Sequence, residues 1–397
     1  MNIGGYTITD KIDSGGYGKV YRGYETATLK PVAVKISIKC GHKVSKEAKI
    51  LKKLSGGSGI PEVYTNGKWN HVHFMVLELL GHNLYREMLE NKQGFSLSCV
   101  VKIAEQMIER LKFIHSKGIL HRDIKPEQLL LSLSGDQIYL VDYGLSCKYI
   151  RKKVHKTFKD HVCTVGSVYF ASIHSHLGHE QSRRDDLESL FYTLLFLKNA
   201  HIPWESAVQG LEGISKWQAC FVSKLNHQQD LFQDWPIQFS NMFNYIRKLI
   251  YEENPNYDYF IKCLEEIKHK MGLKNEFDWS INKNIKAVTL DIPNQKRTRH
   301  NKSGRTKDCD SIEYKEKKWK KDVRKTHSPM RGKIKPKIGK DEISGTKKSD
   351  NGVQSYLDCQ KTDKAELPQL LDKKILYLAK SKKFHNMIVD HSACIIS

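Results

Sequence analysis

The sequence contains little that would suit an exported or membrane-spanning protein. Its nine cysteines form no CxxC pair and no metal-ligand spacing, and most stand singly in apolar stretches, as Cys99 and Cys263 do. The first residues, MNIGGYTITDKID, lack the basic and then apolar pattern of a signal peptide. The longest apolar stretch, around residues 190–197, is too short to cross a bilayer. We therefore expect a soluble cytoplasmic protein.

Apolar residues are also scarce. They make up 39% of the 397 residues, which is low for a chain that is folded throughout. Of the net charge of +22, residues 281–397 carry +15, with 29 Lys and Arg against 14 Asp and Glu. Residues 1–280 carry +7, with 37 against 30. The composition predicts a folded domain over residues 1–280, followed by a basic, largely disordered tail over 281–397.

The folded part changes its hydrophobic period near residue 80. Residues 5–38 alternate in polarity and are rich in β-branched and aromatic residues, which predicts three antiparallel strands. A helix over 43–54 and a strand over 71–80 follow. Helical periods then dominate, over 97–117, 185–198 and 258–271, with a loop-rich stretch over 118–182. The pattern predicts a two-lobed α+β fold, with a small antiparallel β-rich N-lobe (about 1–80) and a larger helical C-lobe (about 81–280).

The β-rich part carries residues that suit phosphate binding. KIDSGGYGKVYRG joins two predicted strands, and Gly15 and Gly18 would let backbone N–H groups approach phosphates. Asp13 stands where a GxGxxG loop has its first glycine. Lys35, in VAVK, needs an anionic partner, and Glu47 in the next predicted helix is the candidate. A glycine-rich hairpin or a surface lysine alone is common, but their order here favours a phosphate site.

A second group of polar residues follows in HRDIKPEQ and YLVDYGL. Asp123 can accept the proton of an attacking hydroxyl, and Lys125 can steady a transferring phosphoryl group. Asp142, fourteen residues after Gln128, is a hard oxygen ligand that suits magnesium. Either aspartate alone is more often a turn or cap residue. All of these residues in this order indicate phosphoryl transfer.

Together the motifs resemble the protein kinase set of a Gly-rich loop, VAVK, a helix glutamate, an HRD loop and a DYG segment. More specifically, LGHEQSRRDDLESL, VYFASIHSHLG, GGSGIPEV, VLELLGHNL, ENPNYDYF and EFDW are similar to the casein kinase 1 family. The DYGL form is shared with the vaccinia-related kinases, a sister group. The resemblance runs from about Tyr6 to Trp279. It implies ATP and Mg²⁺ in a cleft between two lobes and transfer of the γ-phosphate to Ser or Thr of proteins, often near acidic or already phosphorylated residues.

The resemblance also implies a role for each motif residue. Asp123 would be the base and Lys125 a contact to the γ-phosphate. Asp142 would be the main magnesium ligand and Gln128 the second, while Leu77 would be the gatekeeper. The ATP-binding set would be Gly15, Gly18, Val20, Ala33, Lys35, Glu47, Leu79 and Leu80.

The chain departs from the family pattern at four positions. Gln128 replaces Asn and is one methylene longer, which predicts a weakened but working metal site. Tyr143 replaces the usual Phe and keeps an aromatic plug, and Phe191 replaces a Gly of the central helix. Tyr169 replaces an arginine that helps to bind a priming phosphate, which leaves acidic and phospho-primed substrates both open.

Two functional classes remain, an enzyme and a catalytically silent scaffold that uses the fold and the basic tail for binding. The lysine, base and magnesium aspartate that pseudokinases more often lose are all present, which favours the enzyme. Its activation segment carries a further set of cations that would attract acidic peptides, namely Lys152, Lys153, Lys156 and Lys159.

The tail allows several interpretations. Its basic runs suit a solvated extension, a nuclear import signal, or a contact with nucleic acid or anionic lipid. Cys394, followed by Ile-Ile-Ser, fits the C-a-a-X prenylation pattern, and the Ser suggests farnesyl. The basic stretch 373–383 would be the second signal that stable anchoring needs. We expect membrane association through a farnesylated Cys394, with the nucleus as the alternative location.

Overall fold

A computed structural model describes residues 2–14, 18–37, 41–90, 94–162 and 164–281 of the protein. Gly15, Cys394 and the basic tail lie outside the described residues, so the interpretations made on them stay predictions. The domain boundary near residue 280 also stays a prediction. None of the described helices is both long enough and apolar enough to cross a membrane.

The N-lobe is built on one antiparallel sheet. Its strands are β1 (Asn2–Ile3), β2 (Tyr6–Ser14), β3 (Gly18–Glu25), β4 (Pro31–Ser37), β5 (Val63–Trp69) and β6 (Val72–Glu78), in the order β1-β2-β3-β4-β6-β5. Val32, Val34, Phe74 and Val76 belong to a small core on one face of this sheet. Between β4 and β5 lies helix α1 (Gly41–Lys53), whose apolar residues are buried in the main core of the protein together with Met75 of β6.

The C-lobe is mostly helical. Its helices are α2 (Leu84–Glu90), α3 (Leu97–Ser116), α4 (Ile173–His176), α5 (Arg183–Asn199), α6 (Trp204–Ala207), α7 (Gly213–His227), α8 (Ile237–Lys248), α9 (Tyr257–Met271) and α10 (Asp278–Ile281). Three short antiparallel pairs lie between α3 and α4: β7 (Ile119–Leu120) with β10 (Cys147–Lys148), β8 (Leu129–Leu131) with β9 (Ile138–Leu140), and β11 (Ile150–Arg151) with β12 (Val154–His155). The HRD loop lies between β7 and β8, and the DYG segment between β9 and β10.

Helix α5 is the centre of the C-lobe. Its residues from Arg183 to Leu197 are buried except Ser189, which is half-buried. Residues 190–197 of α5 are almost all apolar, and a helical segment of this kind is stable only when it is enclosed. Phe191 makes ring contacts at 5.8–6.2 Å with four other aromatic residues, Phe232, Phe239, Phe243 and Phe260. The departure from the family at this position is therefore accommodated by an aromatic core.

The two-lobed α+β fold is confirmed, and the predicted helices begin and end within two residues of the observed ones. The helical stretches α2, α7 and α8 and the strand β5 were not predicted. Strand β5 has mostly half-buried side chains, so the polarity of its sequence, VYTNGKW, hardly alternates. Helices α7 and α8 lie in a region that the sequence analysis left without assignment.

Candidate active site

Lys35 is held by two carboxylates from different parts of the chain. Its Nζ donates to Glu47 Oε1 of α1 at 2.8 Å and to Asp142 Oδ1 at 2.8 Å. Burial opposes the charge on Lys35, but Asp142 and Glu47 together raise its pKa. Burial also raises the pKa of Glu47 to about 7, although Lys35 acts in the opposite direction. Lys35 and Glu47 therefore form the predicted ion pair. Lys35 also contacts Asp142, the predicted magnesium ligand.

Asp142 lies in a left-handed turn immediately after β9. Its φ of 63° is unusual for a residue other than glycine, and Gly144 N–H donates to its Oδ1 at 3.4 Å. Burial disfavours its charge, but the ionic contact with Lys35 outweighs burial and lowers the pKa of Asp142 to about 2. The carboxylate is therefore ionised over the whole physiological pH range.

Gln128 reaches the same carboxylate. It ends a single 3₁₀ turn, and its Nε2 donates to Asp142 Oδ2 at 3.4 Å. Its backbone carbonyl accepts from Val141 N–H at 3.0 Å, which ties the HRD loop to the residue before Asp142. Half a rotation of the amide would turn its oxygen toward Asp142. A carboxylate and an amide oxygen side by side fit a magnesium ion, which prefers hard oxygen ligands.

Asp123, the predicted base, forms a closed triangle with two other polar residues. Its Oδ1 accepts from Ser167 Oγ at 2.8 Å, and its Oδ2 lies 2.9 Å from Lys125 Nζ. Lys125 Nζ also donates to Ser167 Oγ at 2.7 Å. Burial disfavours the charge on Lys125, but Asp123 and Glu127 outweigh it and raise its pKa. Lys125 favours the ionised form of the Asp123 carboxylate, which can then accept a hydrogen bond from a substrate hydroxyl and orient it.

Asp186 of α5 holds the backbone of the HRD loop by hydrogen bonds. Its Oδ2 accepts from the backbone N–H of His121 and from His115 Nε2, and its Oδ1 from the backbone N–H of Arg122, all at 2.8 Å. Arg122 has a φ of 70°, a left-handed conformation that costs about 1–3 kcal/mol for a residue other than glycine. The three hydrogen bonds hold the loop in this conformation, and Asp123 is the next residue.

The predicted nucleotide-binding residues share one face of the N-lobe sheet. Val20 lies directly opposite Lys35, and Ala33, two residues before Lys35, lies opposite Leu77. Because side chains alternate along a strand, all four point to the face that carries Lys35. Gly18 begins β3, and a side chain there would collide with the carbonyl of Ile36 at 2.7 Å. Leu79 and Leu80 leave the sheet directly after β6, as the predicted hinge requires.

Comparison with models of protein families agrees with this geometry. The model of the protein kinase domain matches residues 6–255, which is more than half of the chain. The chain belongs to the protein kinase family. Membership implies a phosphotransferase that uses ATP and a divalent metal and acts on proteins. The resemblance to protein kinases is thus confirmed at the level of the family.

Further polar contacts connect the segment after Ser167 with helix α5. Ser172 Oγ donates to Asp185 Oδ1 at 2.5 Å, and Ile173 N–H donates to Glu188 Oε1 at 3.0 Å. Glu188 also pairs with Arg247 of α8 at 3.0 Å. The segment after Ser167 is therefore anchored to the first two turns of α5.

Tyr169, which the resemblance to the casein kinase 1 family sets against an arginine, is buried. Its carbonyl accepts from Trp204 Nε1 at 2.8 Å, and Lys216 Nζ lies 4.6 Å from the centre of its ring. A cation at this distance over an aromatic face is attracted by the ring. In place of the arginine, this position therefore carries an aromatic ring that contacts the side-chain cation of Lys216.

The sequence analysis missed Asp186, Ser167 and His115 as parts of the site. Asp186 stands among the charged residues Arg183, Arg184, Asp185 and Glu188, and a cluster of this kind usually faces solvent, so its burial was not evident from the sequence. Ser167 and His115 gave no local signal. Serine is common in loops, and a histidine near the end of a helix usually faces solvent.

Proposed function

We propose that this protein is an active, ATP-dependent Ser/Thr kinase of the casein kinase 1 type. The observation that carries the proposal is the simultaneous contact of Lys35 with Glu47 and Asp142. Burying Lys35 and Glu47 costs desolvation free energy, and ionisable groups held in this way cluster at functional sites. A catalytically silent scaffold, the alternative, would have no use for this arrangement.

The mechanism assigns one task to each side of the cleft. When bound, MgATP supplies a γ-phosphoryl group whose charge the metal neutralises. Lys35 would bind the α- and β-phosphates, and Asp142 and Gln128 would hold the metal. Asp123 would orient the substrate hydroxyl and accept its proton as the oxygen bonds to the γ-phosphorus and the bond from that phosphorus to the departing ADP breaks. Lys125 would stabilise the negative charge of the transferring group.

The casein kinase 1 type is supported by one continuous stretch, residues 168–190. It combines VYFASIHSHLG, which contains Ser172, with LGHEQSRRDDLESL, which contains Asp185 and Glu188, and the two motifs share Leu177 and Gly178. Both hydrogen bonds between them are buried. The residues that resemble this family are therefore hydrogen-bonded to each other after Ser167, and the resemblance supports a shared mode of substrate binding with Ser or Thr as the acceptor.

The test is phosphate transfer from ATP to casein by the purified protein, followed by identification of the phosphorylated amino acids. We expect phosphoserine and phosphothreonine, and loss of both in Asp142→Asn. Asp258→Asn is the matched control, because this exposed carboxylate only pairs with Lys112. Phosphotyrosine as the main product would overturn the acceptor class. Absence of transfer by the wild type at every magnesium concentration would favour the scaffold.

A further inference from the structure

A two-residue turn of unusual composition lies in the activation segment. Strands β11 and β12 pair Ile150 with His155 and Arg151 with Val154, so only Lys152 and Lys153 form the turn. Their φ angles are 49° and 66°. A turn with both central residues left-handed is a type I′ turn, for which Asn-Gly is strongly preferred because these residues tolerate positive φ. Two lysines here cost stability, so they indicate a use for their charge.

More cations surround this turn. Lys148, Arg151, Lys152 and Lys153 are all exposed. Lys53 of α1, whose Nζ donates to the carbonyl of Lys117, extends the positive surface to the N-lobe. Desolvation lowers the pKa of Lys53, and the charges of Lys148 and Lys117 lower it further, which means that these cations are near neighbours. We call residues 148 and 151–154 the basic knob.

The basic knob has a rigid base. Tyr149 is buried, its hydroxyl donates to the carbonyl of His115 at 2.7 Å, and its N–H donates to the carbonyl of Gly118 at 3.1 Å. Below the turn, the ring of His155 contacts Tyr149 at 5.2 Å and Tyr251 at 4.8 Å. A surface that is already ordered loses little entropy on binding, so it is well suited to recognition.

The chemistry of the basic knob selects its partner. The tail of the same chain is itself strongly basic, so it would be repelled. Val154 is 67% exposed between the cations, and an aliphatic side chain contacts a peptide better than a phosphate backbone. The activation segment also contains Asp142 at one end and Ser167 at the other, both in the active site. A substrate whose acidic segment is bound to the basic knob would therefore reach the active site as a tethered ligand and not as a free one.

We propose that the basic knob docks an acidic segment of the protein substrates, at a distance from the phosphorylated residue. This inference rests on the proposed function, since it concerns how that activity selects its substrates. It gives Lys152 and Lys153 a role in substrate affinity and none in the chemical step.

Three double variants separate charge from backbone conformation. Lys152→Gln with Lys153→Gln removes the charge and keeps the unfavourable turn. Lys152→Asn with Lys153→Gly removes the charge and supplies the preferred turn residues. Lys270→Gln with Lys274→Gln is the control, because it removes the same charge from exposed positions at and after the end of α9.

Two peptides are the substrates, with one acceptor serine and a flexible linker to either six Asp or six Asn. For the Asp peptide, both knob variants should raise KM about fivefold at low salt, without a change in kcat. KM for the Asn peptide and both constants of the control should stay unchanged. The Asn-Gly variant should also melt a few degrees higher than the wild type, roughly 2–5 °C, while the Gln variant should not. An unchanged KM for the Asp peptide in the Gln variant would overturn the proposal.

Binding of a labelled six-Asp peptide, followed by fluorescence anisotropy, tests docking without catalysis. If the wild type binds this peptide and the Gln variant binds it at least severalfold more weakly, docking is supported even if no phosphate transfer occurs, and only the proposed function fails. A DNA duplex of equal charge is the competitor. If the duplex binds more tightly and is the ligand lost in the Gln variant, the partner is nucleic acid and the proposal is wrong.

Discussion

The two lobes hold their catalytic groups by different means. In the N-lobe, Lys35 is positioned by ionic contacts with Glu47 and Asp142, which depend on the protonation state of the carboxylates and on the position of one helix. In the C-lobe, Asp123 is positioned by backbone hydrogen bonds from the HRD loop to Asp186, on a helix that is enclosed on all sides. The first arrangement can be opened by a small change, whereas the second can be lost only with the core of the lobe.

This difference indicates where regulation can act. Moving α1 would separate Glu47 from Lys35 at the cost of a single ion pair and part of its packing. Moving the HRD loop would remove two of the three hydrogen bonds that hold the buried carboxylate of Asp186, which costs several kcal/mol. The C-lobe is therefore the fixed reference of the active site, and the N-lobe side is the part that can be adjusted.

We expect the largest effect on kcat at Asp142, a C-lobe residue that contacts Lys35 of the N-lobe. Asp142→Asn removes both the charge that binds the metal and the ionic contact with Lys35, so kcat should fall by about 1000-fold or more. The melting temperature should change by only a few degrees, because Asp142 is half-buried. Turnover close to that of the wild type would contradict the assignment of the metal ligand.

Asp186→Asn tests how the C-lobe holds the HRD loop. The new amide NH₂ would face one of the N–H donors, so the HRD loop would lose part of its support. We expect kcat to fall by about 100-fold and the free energy of unfolding by about 3 kcal/mol, measured with urea. Asp10→Asn, at an exposed carboxylate 3.8 Å from Arg22, should change stability by less than about 1 kcal/mol. Wild-type stability in Asp186→Asn would mean that the loop is held by other contacts.

The contact between Lys35 and Glu47, and with it the activity, should depend on pH. Because the pKa of Glu47 is raised from 4.5 to about 7, Glu47 takes up a proton below pH 7 and releases Lys35, so kcat/KM should fall on acidification. Between pH 4.5 and 7 the folded state binds this proton more tightly than the unfolded state, so the contribution of Glu47 to stability should decrease as pH rises.

Glu47→Gln is the matching variant for this measurement. It should reduce kcat/KM about tenfold at pH 8. It should also abolish the fall in kcat/KM that the wild type shows near pH 7 on acidification. Profiles of kcat/KM and of urea stability from pH 5.5 to 8.5 check both effects. If the fall near pH 7 persists in Glu47→Gln, another group controls it.

The smallest effect concerns the metal. If Gln128 ligates magnesium through a side chain that is one methylene too long, Gln128→Asn should lower the magnesium concentration for half-maximal rate by about two- to threefold. Gln128→Ala should raise it. A magnesium titration of the initial rate for the three proteins decides the question. Coinciding curves would show that Gln128 is not a ligand and that Asp142 and the phosphates hold the metal alone.

The sequence alone determined those features that depend on near neighbours. The β-rich beginning, the helices with regular apolar spacing and the order of the motifs were readable because hydrophobic period and short motifs are local properties. The same holds for the predicted roles of Lys35, Glu47, Asp123, Lys125, Asp142 and Gln128, which follow from their order along the chain and from the resemblance to protein kinases. Helix α7 was not predicted because its buried face includes Lys216, Ser223 and Lys224, so its apolar residues form no regular stripe. Helix α8 was not predicted either.

Only the tertiary structure decided which distant residues support the site. Asp186 is 65 residues from His121 and Ser167 is 44 residues from Asp123, and each pair meets only after α5 and the activation segment have packed. The left-handed turn of Lys152 and Lys153 likewise depends on the register of β11 and β12. Hydrogen bonds are short-ranged, so a partner can be identified only when the fold has brought both atoms within about 3 Å.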